Sequence, residues 1–316
     1  MSRTSTDIHP IASPWGRFHL YTFFIDAPEP AIVDTGIASS PAEGMAPALE
    51  RLGRRIEDVR WILLTHGHID HMGGAHALWE MTGRKAKVVI HADEAHLLRS
   101  RRAHVLHYLD VRDQYLRDPD GEAAQTKAAD AVISGEMEPT VVLHGGESLS
   151  LGGDVTVTAR NVPGHSAGAM AYVIDGQNDA FVGDSVQVYG AAAGFPGYED
   201  PDAYRSSLLR LRDEVAPRRM YLGHPYRNAE GTPYGVELDH TQADEALRHS
   251  IDREARIREA AERYFADGGR DSGENSSLHA PFGRIADDLG YTGDPRLEPS
   301  PFFTTLHGYR RLFASR

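Results

Sequence analysis

Thr65-His66-Gly67-His68-Ile69-Asp70-His71 packs three imidazoles and a carboxylate into six consecutive residues, His66 to His71. The run follows directly on Arg60-Trp61-Ile62-Leu63-Leu64, a short continuous apolar stretch of the kind that forms a strand covered on both faces. The polar cluster therefore belongs at a strand's end. If the strand stops near Thr65, His66 and His68 project to one side of the turn, while Asp70 and His71, entering the next helix, project to another. Gly67, Gly73 and Gly74 permit a tight turn and a close approach of backbone. Four ligand-type side chains at this density are out of keeping with an ordinary solvated turn and point to metal.

Four ligands do not complete the shells of two ions, so a dinuclear reading demands further His or carboxylate at strand ends elsewhere. The sequence offers three. His165 lies in Val162-Pro163-Gly164-His165 after an apolar strand, Asp184 in Phe181-Val182-Gly183-Asp184, and His224 in Tyr221-Leu222-Gly223-His224. Each is a strand, a glycine and then a ligand. Taken singly, any of the three is as readily an ordinary turn residue.

The elements around these motifs alternate strand and helix, the signature of an α/β fold. Residues 17–25 and 31–34 read as a hairpin, 41–53 as a helix ending at Gly53, 73–82 as a helix and 87–91 as a strand. Strands follow at 140–143, 155–162, 170–175, 179–183 and 218–222, with a helix at about 202–215, so that the second half mirrors the first in element order. We expect a catalytic domain over 1–240, carrying a helical insertion at about 93–131. A C-terminal helical extension, 241–316, is expected to pack on the same domain. It opens with an amphipathic helix at 241–267, continues through a largely irregular 268–300 and closes with a short helix.

Val33-Asp34-Thr35-Gly36, the histidine-rich run at 65–71, Pro163-Gly164-His165, Gly183-Asp184 and Gly223-His224 resemble, in order, the five successive motifs of the metallo-β-lactamase superfamily. The resemblance implies a four-layer αββα sandwich with metals at one edge. It also implies that His66, His68 and His165 bind one ion and Asp70, His71 and His224 a second, with Asp184 bridging and Asp34 orienting the ligand loop. The expected cofactors are two divalent ions, Zn2+ first, with Mn2+ or Fe2+ accepted by the same donors. A hydroxide shared by two cations about 3.5–4 Å apart is a nucleophile at neutral pH. Asp70, beside it, is the candidate to orient it and take its proton.

An aspartate at 184, where the commonest dizinc β-lactamases carry cysteine, resembles the glyoxalase II, lactonase and thioesterase branches. The activity this implies is hydrolysis of an activated carbonyl compound: an ester, thioester or lactone. Gln187 stands where the quorum-quenching lactonases carry a tyrosine. The alternatives weighed are a mononuclear iron enzyme like the persulfide dioxygenases, a phosphodiesterase and a β-lactam hydrolase of the same fold.

Composition narrows the field. The 316 residues contain no cysteine, which excludes disulfides and thiolate-ligated metal. A formal charge of −13, from 46 acidic against 33 basic residues, opposes a phosphate backbone, so nucleic acid is not an expected partner. Residues 1–10 lack the apolar run of a signal peptide, and no stretch approaches the roughly 18 apolar residues of a membrane span. A cytoplasmic protein acting on a small-molecule substrate is expected, with a homodimer as the form any self-association takes. Tyr189, Tyr226 and Arg227 follow ligand motifs and are candidates for substrate contacts; Phe195 and Tyr198 are as readily core or rim. His91, His96, His104, His107, His144, His240 and His249 have no comparable context and are assigned nothing.

Overall fold

The computed structural model of the protein describes residues 6–191, 194–269, 277–296 and 300–314. Its first sheet runs in chain order through β1 (Asp7–Trp15), β2 (Phe18–Asp26), β3 (Ala31–Val33), β4 (Trp61–Leu63), β5 (Lys87–His91) and β6 (Val141–Leu143). The first three strands pair antiparallel and β3 to β6 pair parallel. Parallel neighbours need crossovers, and helices supply them. These are α1 (Ala46–Arg51) before β4, α2 (Ile69–Met72) and α3 (Ala75–Met81) before β5, and α4 (Ala95–Arg99), α5 (Arg101–Tyr115) and α6 (Gly121–Val132) before β6.

The second sheet has β7 (Ser148–Ser150), β8 (Thr156–Asn161), β9 (Met170–Ile174), β10 (Asp179–Gly183), β11 (Arg219–Leu222) and β12 (Glu237–Asp239), each beside the next. Here β10 and β11 form the one parallel pair, bridged by α7 (Pro201–Arg210). Three helices follow among the described residues: α8 (His240–Ala266), α9 (Gly283–Leu289) and α10 (Pro301–Ala314). Asp239 and Gln242 start α8 with a reciprocal capping box, which satisfies two backbone N–H groups at its first turn.

Strand alternation makes three cores out of two sheets. Phe23, Val33, Leu63 and Val89 meet Val157, Tyr172, Phe181 and Tyr221 between the sheets. The intervening Ile32, Ile62, Val88 and Ile90 turn outward onto Met45, Leu78 and Val105 of the first helical layer. On the other side Val182 and Leu222 pack with Leu208, Leu247, Ile257, Phe302 and Leu306. The order helix, sheet, sheet, helix is the αββα sandwich, and it explains why the strand leading to Thr65 is apolar on both faces.

Three strands escape the sequence patterns. Pro10 and Pro14 disguise β1, which tolerates them because it lies at a sheet edge with β2 its one strand neighbour. β7 and β12 have three residues each, too few to show a period. The two halves match in strand number but not in pairing, since the second has a single parallel pair and so a single helical crossover. Within 268–300, expected to be irregular, α9 is helical; 270–276 and 297–299 lie outside the described residues. The final helix has 14 residues and is not short.

We propose that α8, α9 and α10 fold as one cooperative unit with the second sheet. Phe302→Ala, at a fully buried position, should then cost about 3–5 kcal/mol. Chemical denaturation followed by circular dichroism should show one transition shifted as a whole. A separate early transition that leaves the main one in place would overturn the proposal.

Candidate metal centre

The ends of four strands bring Asp34 and four of the donors to one edge of the sandwich. Asp34 follows β3, His66 and His68 follow β4, Asp184 follows β10 and His224 comes two residues after β11. Asp70 and His71 lie on α2, and His165 lies in the turn between β8 and β9. All seven donors expected from sequence converge there, although the chain separates the first, His66, from the last, His224, by 158 residues.

Two trios are apparent. His66 Nε2, His68 Nδ1 and His165 Nε2 are mutually 3.0, 3.3 and 3.0 Å apart. His224 Nε2 lies 3.3 Å from His71 Nε2 and 3.1 Å from Asp70 Oδ2. Donors around a tetrahedral ion with bonds of about 2.0–2.1 Å stand about 3.3 Å from one another; the first trio matches this span, and the second does so on two edges, with His71 Nε2 to Asp70 Oδ2 wider at 3.9 Å. Asp184 lies between them: Oδ1 is 3.3 Å from His71 Nε2, while Oδ2 is 3.7 Å from His165 Nε2 and 3.5 Å from His224 Nε2. Asp184 Oδ1 is buried and makes no hydrogen bond, although His71 Nε2 stands 3.3 Å from it, an arrangement that suits two donors facing one cation.

The family model for the metallo-beta-lactamase superfamily matches residues 16–224, which contain every one of these donors. The chain belongs to the metallo-β-lactamase superfamily. A hydroxyacylglutathione hydrolase from Rhodobacter capsulatus is 28% identical over 269 residues, covering 85% of this chain and 86% of that protein. Another from Hyphomonas neptunium is 27% identical over 175 residues, 55% of this chain and 51% of that one. Among solved structures, a metallo-beta-lactamase family protein from Thermus thermophilus superposes with a TM-score of 0.67 at 20% identity, covering 97% of this chain and 94% of that one. The last shares the fold.

In this superfamily metal ions are held by His and Asp side chains, and the groups around the trios prepare the donors for that task. A histidine can ligate through one ring nitrogen if the other carries its proton. His66 Nδ1 is 3.1 Å from Thr65 Oγ1, whose own hydrogen goes to Asp34. His71 Nδ1 is 2.9 Å from Asp34 Oδ2, and His165 Nδ1 is 2.7 Å from the Gly197 carbonyl. In each case an acceptor holds the proton on Nδ1 and leaves Nε2 facing the cluster.

Burial, reinforced by the neighbouring imidazoles, pushes His66 and His68 well below the ordinary histidine range, so both are neutral donors. Burial acts the same way on His71, but the carboxylates of Asp184, Asp70 and Asp34 outweigh it and raise that pKa well above its usual value. Burial would raise Asp70 and Asp184. The adjacent His71 and His224 instead hold both well below the usual carboxylate range. The set is thus rich in neutral nitrogen and ionised oxygen, and cations would displace the protons that His71 and His224 otherwise retain.

Several contributors were given no part in the site by the sequence reading. Glu94, just before α4, is buried; its Oε2 accepts the Gly67 N–H at 2.9 Å and its Oε1 the Gly168 N–H at 2.8 Å. It ties the histidine-rich turn of the first half to the His165 turn of the second. Gln187 Nε2 donates to the Asp184 carbonyl and lies 2.9 Å from His165 Nδ1, and Gln187 Oε1 accepts the Gly197 N–H. Its spacing of three from Asp184 was the available signal. His107, assigned nothing from sequence, comes from the insertion helix α5 to meet Glu199 at 3.0 Å beside His68.

Of the residues considered for substrate contact, Tyr226 is buried against the His224 ring, with centroids 5.8 Å apart, and Tyr189 is half-buried. Arg227 Nη1 donates to the Gly231 carbonyl within its own turn. Phe195 and Tyr198 belong to the core.

Two substitutions test this geometry without removing a donor. A Cβ at Gly223 would collide with Asp184 Oδ1 and His71 Cε1, so Gly223→Ala should disable metal binding while the fold survives. Glu94→Gln keeps one of the two loop contacts at most and should weaken zinc affinity by about 10–100-fold. Competition against a chelating dye measures both; wild-type affinity in either variant would contradict the assignment.

Proposed function

We propose that the protein is a dinuclear metal-dependent hydrolase of an activated carbonyl: an ester, thioester or lactone. One observation carries the reading, the sharing of the Asp184 carboxylate by two donor trios. His66, His68 and His165 would hold one ion and Asp70, His71 and His224 the other. When bound, two divalent cations, zinc first, supply Lewis acidity towards a carbonyl oxygen and lower the pKa of water.

The chain's own residues do the positioning and the proton handling. Asp34 and Gly197 hold the ring protons of His71 and His165 away from the cluster. Asp70, whose side chain is 20% exposed against 10% for Asp184, is the carboxylate with an open side. It is the group to orient the attacking water and accept its proton. The hydroxyacylglutathione hydrolase names of the relatives favour a thioester among the carbonyl substrates. The net charge of −13 favours a small molecule over a nucleic-acid phosphodiester.

Elemental analysis of protein reconstituted with zinc should find two ions per chain, and Asp184→Asn should reduce that number. The loaded protein should hydrolyse acyl thioesters or aryl esters. Asp70→Ala should lower kcat by about 100-fold or more. A single iron per chain with oxygen uptake on a persulfide would replace this reading by the dioxygenase alternative. A fully active, metal-replete Asp70→Ala would remove the role given to Asp70.

A further inference from the structure

Among the described residues outside the metal centre, one buried cation lacks a counter-charge. Arg253 of α8 is 5% exposed, its Nε is buried without an acceptor, and no described residue forms a hydrogen bond or ion pair with it. Three other arginines of this helix are paired, Arg248 with Asp244, Arg258 with Glu254 and Asp202, and Arg263 with Glu259 and Asp288, while Arg256 is exposed to solvent. Glu254, adjacent in sequence, cannot serve Arg253, because it already receives Arg205, Arg258 and the Tyr309 hydroxyl. A buried guanidinium without a partner is unfavourable, and it stays charged at neutral pH.

What holds Arg253 is aromatic. Its guanidinium carbon lies 4.9 Å from the ring centroid of Tyr189 and 5.4 Å from that of Phe195. These faces attract the cation and fix its plane while leaving its N–H groups unused. The shelf is attached to the metal centre by a short stretch of chain. Asp184 contributes a donor, Gln187 touches His165, the Val188 N–H is bound by Ser250 Oγ one turn before Arg253 on α8, and Tyr189 follows.

We propose that Arg253, on the shelf of Tyr189 and Phe195, is the subsite for a carboxylate on the substrate. The inference rests on the hydrolase reading above and narrows it to esters or thioesters of acidic compounds. A planar fork of N–H donors matches a carboxylate in two-point geometry. The protein's net charge of −13 repels anions in general, so an acidic substrate requires a local cation of this kind.

The test uses the zinc-loaded full chain and Arg253→Met, a substitution that keeps apolar bulk on the aromatic shelf. Two 4-nitrophenyl esters serve as probes, the hemisuccinate with a free carboxylate and the neutral acetate. Isothermal titration with succinate measures anion binding without turnover. The wild type should prefer the hemisuccinate in kcat/KM, and Arg253→Met should lower that preference by about 10–100-fold and weaken succinate binding to a similar extent. Arg253→Lys, which keeps the charge and loses the fork, should recover part of both. A wild type that prefers the acetate, or a preference and succinate affinity unchanged in Arg253→Met, would overturn the subsite; the first of these needs no variant to fold. If neither ester is cleaved, the hydrolase reading is what fails, and succinate titration still decides whether Arg253 binds a carboxylate.

Discussion

Asp34 is the carboxylate on which the metal edge depends. It stands directly after β3 in a left-handed conformation, φ +59°, which a non-glycine residue adopts at a cost that surrounding contacts must offset. Those contacts are its own hydrogen bonds. Oδ1 accepts the Thr65 N–H at 2.8 Å, and Oδ2 accepts the Thr65 hydroxyl at 2.8 Å and lies 2.9 Å from His71 Nδ1. One buried side chain thereby fixes where β4 ends, how α2 begins and which nitrogen of His71 faces the cluster. The neighbouring Thr35 adds two bonds to the His71 carbonyl, one from its N–H and one from its hydroxyl.

The second requirement is that two separately formed sheets meet in register. Apolar packing between them is non-directional and sets a spacing, not an alignment. Alignment comes from polar contacts that cross the interface at the same edge. The Tyr172 hydroxyl of β9 donates to the Leu64 carbonyl, and the Met170 N–H to the Thr65 carbonyl. Glu94 receives one backbone N–H from each half. These groups bracket the histidine-rich turn, and in a water-poor setting leaving any of them unpaired would be unfavourable. Together they hold His165 against His66 and His68 across the interface.

Beyond that edge, the third core gives α8 and α10 a place near the chemistry. α8 touches the loop after Asp184 through Ser250 and Arg253, and α10 supports it through Thr305, which accepts the Tyr198 N–H and donates to the Pro196 carbonyl. The segment from Asp184 to Tyr198 thus begins at the metal centre and is held by the C-terminal helices. The proposed carboxylate subsite and the bridging carboxylate of the candidate metal centre are adjoining parts of one chain segment.

The clustering of the candidate metal donors was legible in the sequence because their chemistry is local: imidazole and carboxylate at strand ends, each preceded by glycine or packed into one dense run, leave few other uses for those residue types. The αββα arrangement was legible through the resemblance that those motifs, in their order, bear to the metallo-β-lactamase superfamily, whereas strand and helix periodicity pointed only to an alternating α/β chain. What the sequence did not disclose has a common cause, in that each case depends on a partner distant along the chain. Glu94 reads as a surface glutamate until Gly67 and Gly168 come to it, and His107 as a helix-face histidine until Glu199 does. Arg253 reads as one more charged position on an amphipathic helix, and only burial without a carboxylate sets it apart. Strand pairing at β1, β7 and β12 was likewise decided by neighbours, since a proline-bearing edge or a three-residue strand has no pattern of its own to read.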